Sequence, residues 1–111
     1  MNGPIIQTDV EERLMILTDR LDKEVEYFAT VSTERALTEA AYKREYATTL
    51  LQSEGTVSTK EALAQVESAD AFLAWKIAEA KEKATQQSLI AIRNQMDALR
   101  TICANVRSLG G

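Results

Sequence analysis

The sequence contains no histidine, one cysteine, one proline and four glycines, and only 5% of it is aromatic. Without histidine the chain lacks the commonest general base and the commonest metal ligand. The lone Cys103 permits no internal disulfide and has no histidine to activate it, which fits reducing, intracellular surroundings. Three of the glycines, Gly3, Gly110 and Gly111, lie at the ends, so no glycine-rich loop exists to cradle a phosphate. Only Gly55 marks an internal break. No apolar run approaches the roughly 20 residues of a membrane span. The opening MNGPIIQTDVEER has no basic segment followed by a long apolar core, as a signal peptide would. These absences predict a protein that is not an enzyme, holds no metal and needs no cofactor, placed in the cytoplasm.

What is present is helical. The chain has 111 residues, 45% apolar and 27% charged, in the range of a single folded domain. Its formal charge of −4 is unevenly placed. Residues 1–26 hold three basic and seven acidic groups, and the remainder holds ten of each. Binding follows local patches rather than totals, so an acidic arm on a neutral body does not settle whether nucleic acid is a partner.

Thr8 and Glu11, with Ile5 and Ile6 upstream, have the spacing of a capping box. From there Val10, Leu14, Leu17, Leu21, Val25 and Phe28 form a near-heptad stripe. It weakens into Ala36, Ala40, Ala41 and Ala47, and Thr30–Thr33 lowers helix propensity enough to suggest a kink near residue 32. Gly55 then caps the first helix, and Ser58 with Glu61 reads as a second capping box, Val57 and Ala62 forming its hydrophobic staple. The second helix carries Leu63, Val66, Leu73, Ile77, Ala80 and Ala84, then Leu89, Ile92, Met96, Leu99, Cys103 and Val106. Glu67 with Asp70, and Glu79 with Glu82, read as a solvated face paired by Lys76 and Lys83. No stretch alternates with period two.

The expectation is an all-α protein, a long antiparallel helical hairpin with coiled-coil-like seams. Helix one is expected at about 9–53, the turn at 54–58 and helix two at 59–108 in a single domain. Two helices alone do not bury stripes this broad, with Phe72, Trp75 and Ile90 added. The hairpin is therefore expected to assemble into an oligomeric bundle or ring through Leu14, Leu17, Leu21, Leu89, Ile92, Met96, Leu99 and Val106. Arg93, Arg100 and Arg107, seven apart, flank the last seam and face the acidic first helix of a neighbour in that arrangement. The alternative is a compact monomer of shorter helices, broken near 32 and 85–88.

The stretch AYKREYATTLLQSEGTVSTKEAL, residues 41–63, gathers Tyr42, Lys43, Arg44, Tyr46 and Lys60 about the glycine turn. Single-stranded nucleic acid is held by this mixture, cations tracking phosphates and aromatic planes lying under bases. A helix N-terminus adds amide donors for a phosphate. The alternative has Tyr42 and Tyr46 packed on the second helix, with Lys43 and Arg44 as solubilising groups diluted by Glu39, Glu45, Glu54 and Glu61.

A basic helix ending in Lys-x-x-Tyr, a glycine turn, and a long helix closing in an LDALRS-like segment resembles phage recombination mediator proteins of the UvsY type. The matching pieces are YKREYATTLLQSEG and MDALRTICANVRS, and the likeness spans roughly residues 36–108. The resemblance implies a small, helical, ring-forming protein. Such proteins bind single-stranded DNA, help displace single-strand-binding protein and load a RecA-like recombinase. It implies DNA contacts at Lys43 and Arg44. Tyr42, Tyr46 and Lys60 are added from local chemistry. A structural or adaptor coiled coil, such as a phage assembly scaffold or chaperone without nucleic-acid binding, is the competing expectation.

Overall fold

The computed structural model describes residues 7–110. It is an all-α helical hairpin of three helices: α1 (Gln7–Gln52), α2 (Val57–Glu67) and α3 (Ala69–Gly110). No strand occurs among the described residues. The packing of the chain divides into two compact units. Among the described residues the first comprises 7–27 and 85–110, the second 28–84.

In the first unit α1 and α3 run antiparallel. Leu17, Ile92 and Met96 are buried together, and Leu14, Leu21 and Leu99 pack against them. Val10, Leu89 and Cys103 are also buried. On α3 the buried line Thr85, Leu89, Ile92, Met96, Leu99, Cys103 steps alternately by four and three, the heptad seam that keeps one face against a partner helix. Glu24 continues the line on α1 and accepts a hydrogen bond from Ser88 Oγ at 2.9 Å. Val25, expected in the stripe, is 46% exposed instead.

The residues expected at the oligomer interface take part in this packing within one chain. Leu17, Leu89, Ile92 and Met96 are buried within a single chain, and Leu14, Leu21, Leu99 and Val106 are half-buried. The hairpin closes on Leu17, Leu89, Ile92 and Met96 itself, while Leu14, Leu21, Leu99 and Val106 keep part of their surface open.

In the second unit the buried or half-buried positions of α1 include Phe28, Val31, Arg35, Thr38, Tyr42 and Tyr46, which step by three and four. Facing them are Ala64, Ser68, Ala71, Trp75, Ala78 and Glu82. Arg35 Nε bonds Glu82 Oε1 at 3.2 Å, and Arg35 Nη1 lies 3.4 Å from Glu39 Oε1. The stripe expected to line this seam is turned outward: Leu63 is 43% exposed, Val66 71%, Leu73 58% and Ile77 49%. Ala36, Ala40, Ala41, Ala47, Ala80 and Ala84 are exposed with them.

The helix ends differ from their sequence signals. Thr8 lies inside α1, and Glu11 is bonded by Gln7 Nε2 at 3.0 Å, so Thr8 is not the cap; Ile5 and Ile6 lie outside the described residues. Helix α1 runs unbroken through residue 32. Thr33 and Thr38 return their hydroxyls to the carbonyls of Ala29 and Glu34, at 2.9 and 2.8 Å, and Val31 is buried. Packing of Val31 outweighs weak propensity there.

Gly55, at φ +116°, reverses the chain in a conformation that side chains rarely adopt. The cap of α2 is Thr56, whose Oγ1 accepts from Thr59 N at 3.2 Å. Ser58 is therefore within the helix, and Val57, 71% exposed, forms no staple. The expected second helix is divided at Ser68. Its Oγ donates to Ala64 O at 2.6 Å, and its own carbonyl accepts from Phe72 N at 2.9 Å. A buried serine bonded back to the preceding turn competes with the backbone ladder and bends the helix.

Candidate nucleic-acid interface

Tyr42 and Tyr46 share the inner face of α1 because they are one helical turn apart. Phe72, Trp75 and Lys76 share a face of α3 by the same spacing. The two sets meet. Tyr42 stacks on Trp75 with ring centres 5.4 Å apart and planes at 22°. It meets Phe72 edge-on at 5.3 Å and lies 6.1 Å from Tyr46. Phe72 and Trp75 are T-shaped at 5.9 Å. Offset and edge-to-face arrangements of this kind stabilise by about 0.5–1.5 kcal/mol per pair beyond area burial. Lys76 Nζ sits 4.2 Å from the Trp75 ring centre and 5.5 Å from that of Phe72, with Glu79 at 3.5 Å. Small neighbours, Ser68 between α2 and α3 and Ala71 and Ala78 on α3, leave room for the rings.

This arrangement revises the tyrosines' expected role. Tyr42 has one face against Trp75 and is half-buried, so it is a packing residue rather than an open stacking platform. The accessible ring is Phe72, 42% exposed. Beside it a cleft of about 260 Å³ is lined by Tyr42, Gln65, Ser68, Ala69 and Phe72. Trp75 Nε1 is buried without a hydrogen-bond partner among the described residues.

The cations are only partly gathered. Lys43 and Arg44 are exposed on α1 next to Tyr42. Lys43 Nζ is 3.6 Å from Glu39, a pair loosely held with the lysine side chain 68% exposed. Arg44 makes no ion pair or hydrogen bond with the described residues. Lys60 is half-buried near the start of α2. It lies twelve residues before Phe72 in sequence, which at 1.5 Å per residue is about 18 Å along the helices. Lys60 is thus not part of the cluster. Sequence proximity to the glycine turn suggested that it was, but Tyr42 stands ten residues before the end of α1, about 15 Å from the turn. Residues 28–84 carry seven basic and nine acidic groups, so the unit as a whole is not electropositive.

Phe72, Trp75 and Lys76 were not among the expected site residues. Their signal was the aromatic–aromatic–cation spacing of i, i+3 and i+4. Lys76 and Lys83 pair with Glu79, at 3.5 and 3.7 Å, as the helical spacing predicts, whereas Glu82 turns inward to Arg35.

On the other unit, Arg100 bonds Asp97 at 3.1 Å and Arg107 Nη2 donates to Cys103 Sγ at 3.4 Å. Cys103 is 4% exposed, a small core residue. No group of acidic or cysteine side chains suited to a metal ion occurs among the described residues, and no described helix is long and apolar enough to cross a membrane. No protein-family model matches the sequence, and comparison with curated proteins and with solved structures returns no match.

Proposed function

We propose that this protein is an oligomeric single-stranded DNA-binding recombination mediator, one that remodels DNA coated by single-strand-binding protein and helps load a RecA-like recombinase. The observation that carries the reading is the exposed Lys43–Arg44 pair, which follows Tyr42 in sequence, together with an aromatic cluster whose Phe72 ring remains open and whose Lys76 overlies the rings. Phosphates follow the cations and a base stacks on Phe72, a contact that contributes about 1–3 kcal/mol per base in single-strand binders. One such site is weak on an acidic chain. Several copies on one strand multiply it by effective concentration, and an array of weak sites releases the strand readily to a recombinase. The chemistry needs no cofactor.

The test is fluorescence anisotropy with a labelled single-stranded oligonucleotide at low and moderate salt, with duplex as control. Salt-sensitive binding that prefers the single strand is expected. Replacing both Lys43 and Arg44 with alanine removes two phosphate contacts, which lowers the log–log salt slope by about 1.4. An unchanged slope overturns the site, and no binding at low salt overturns the function.

The competing reading, a structural or adaptor coiled coil, draws its support from the outward stripe Leu63, Val66, Leu73 and Ile77 and from the absence of net positive charge in residues 28–84. Recovery of a capsid or tail protein in a pull-down, with no shift of the oligonucleotide, is its expected result.

A further inference from the structure

Leu63, Val66, Asp70, Leu73, Ile77, Ala80 and Ala84 alternate by three and four and are all exposed. They form a second heptad stripe, beside the one facing α1, along α2 and the start of α3. Four large apolar side chains in one such line, at 43–71% exposure, make a seam without a partner helix.

The charges around the stripe say which partner fits. We propose that the stripe pairs with the same stripe of a second copy, antiparallel about a two-fold axis between Leu73 and Ile77. In this register Leu73 of each chain packs on Ile77 of the other, Asp70 faces Ala80, and Val66 faces Ala84. Glu67 on the flank comes opposite Lys81 of the second copy, and symmetry repeats the pair. Flanking charges set orientation in coiled coils. A parallel pairing instead sets Asp70 against Asp70 within the stripe and forms no Glu67–Lys81 pair. Sliding the antiparallel pair by one heptad sets Leu73 against Asp70 in one direction and against Ala84 in the other, which separates the two largest contacts. Lys76 meets its own copy near the axis, where each is held by its intrachain Glu79, 3.5 Å away. The pairing deepens the oligomeric part of the proposed function but stands on this geometry alone, and of the residues named for the DNA reading only Lys76 lies near the axis, while Lys43, Arg44 and Phe72 stay outside the stripe.

Two measurements on the full-length protein test it, both without DNA. Sedimentation equilibrium at tens of micromolar is expected to give twice the chain mass, and Leu73→Glu with Ile77→Glu is expected to give the chain mass with unchanged far-ultraviolet circular dichroism. A monomeric wild type, or a variant that keeps the doubled mass, overturns the proposal. A short bismaleimide cross-linker then reads the register. Ala74→Cys, beside the axis, is expected to cross-link into dimers. Val66→Cys, distant from its copy, is expected not to, and the buried Cys103 of the wild type serves as the background. The reverse pattern, or equal cross-linking at both positions, overturns the antiparallel register. Loss of DNA binding in the Lys43 and Arg44 variants at unchanged mass separates failure of the nucleic-acid reading from failure of this one.

Discussion

Leu17, Ile92 and Met96 close the seam of the first unit with large apolar side chains, whereas the second unit sets Arg35, Thr38, Ser68 and Glu82 at seam positions. The same helices, α1 and α3, serve both units, so the difference is not one of secondary structure. It lies in which face the large apolar residues occupy. Around Leu17 they face inward. Between Leu63 and Ile77 they face outward, and alanines, a serine, an ion pair and a ring cluster fill the inside. A helix can therefore keep one period throughout and still change the chemistry of its inner face, freeing an apolar stripe for another use.

The sharpest way to break this comparison is to truncate equivalent residues in both units. Leu17, with no exposed surface, lies at the centre of the apolar seam. Leu17→Ala is expected to cost about 3–4 kcal/mol, the range for a buried leucine that leaves a cavity. Leu73→Ala, measured at concentrations where the chain is monomeric, is expected to cost under about 0.5 kcal/mol. Urea denaturation followed by circular dichroism gives both values. Similar losses at the two sites overturn the assignment of inner and outer faces.

The polar seam offers the next contrast. Arg35 is 32% exposed at its side chain, with Glu82 at 20% and Glu39 at 24%. Arg35→Ala leaves partly buried Glu82 without its cation and Glu39 with only the loosely held Lys43, and is expected to cost about 1–2 kcal/mol, between the limits for surface and buried pairs. Arg35→Met fills the same space with apolar atoms. Its expected cost is smaller, yet Glu82 and Glu39 still lose a partner, so the triple change Arg35→Met, Glu39→Gln, Glu82→Leu is expected to match or exceed wild-type stability. A triple variant less stable than Arg35→Ala in the same denaturation assay assigns the pair a net stabilising role instead.

The smallest expected effect is at the turn that joins α1 to the rest of the second unit. A Cβ at Gly55 meets Thr59 no closer than 3.6 Å, so Gly55→Ala meets no steric barrier from its surroundings. The φ of +116° remains unfavourable for alanine, and a loss of about 1 kcal/mol is expected. Gly55→Asn, which tolerates positive φ better, is expected to lose less. Equal losses for the two point to a cause other than backbone conformation.

Much of the fold was legible because it is written in periods. The apolar spacing of Leu14, Leu17 and Leu21, and of Leu89 through Cys103, predicts the first unit's seam directly, and Gly55 predicts the reversal. Caps were read less well. Thr56 and Thr59 lie beside Ser58 and Glu61, both pairs have capping chemistry, and only the backbone conformation at Thr56 distinguishes them. The break at Ser68 was not legible, since a serine gives the same local signal on an exposed face as on a buried one. Of the expected nucleic-acid residues, Lys43 and Arg44 are open on the surface. Tyr42 is drawn into packing by Trp75, and Lys60 is carried away along α2, because distance in a helix grows with every residue.

The sequence by itself determined that this protein is helical, that one glycine turns it back on itself, and that α2 and α3 carry apolar residues on more than one line. Those are consequences of spacing and backbone preference, which are local. Which line faces α1 was decided only by the tertiary structure. Both lines have heptad spacing, and hydrophobicity alone favours Leu63, Val66, Leu73 and Ile77 for the inside. The facing surface of α1 there presents Arg35, Thr38, Tyr42 and Tyr46, whose bulk and polarity are met by small residues, Glu82 and Trp75 rather than by leucine and isoleucine. Complementarity between two helices is a property of the pair, and neither helix carries it alone.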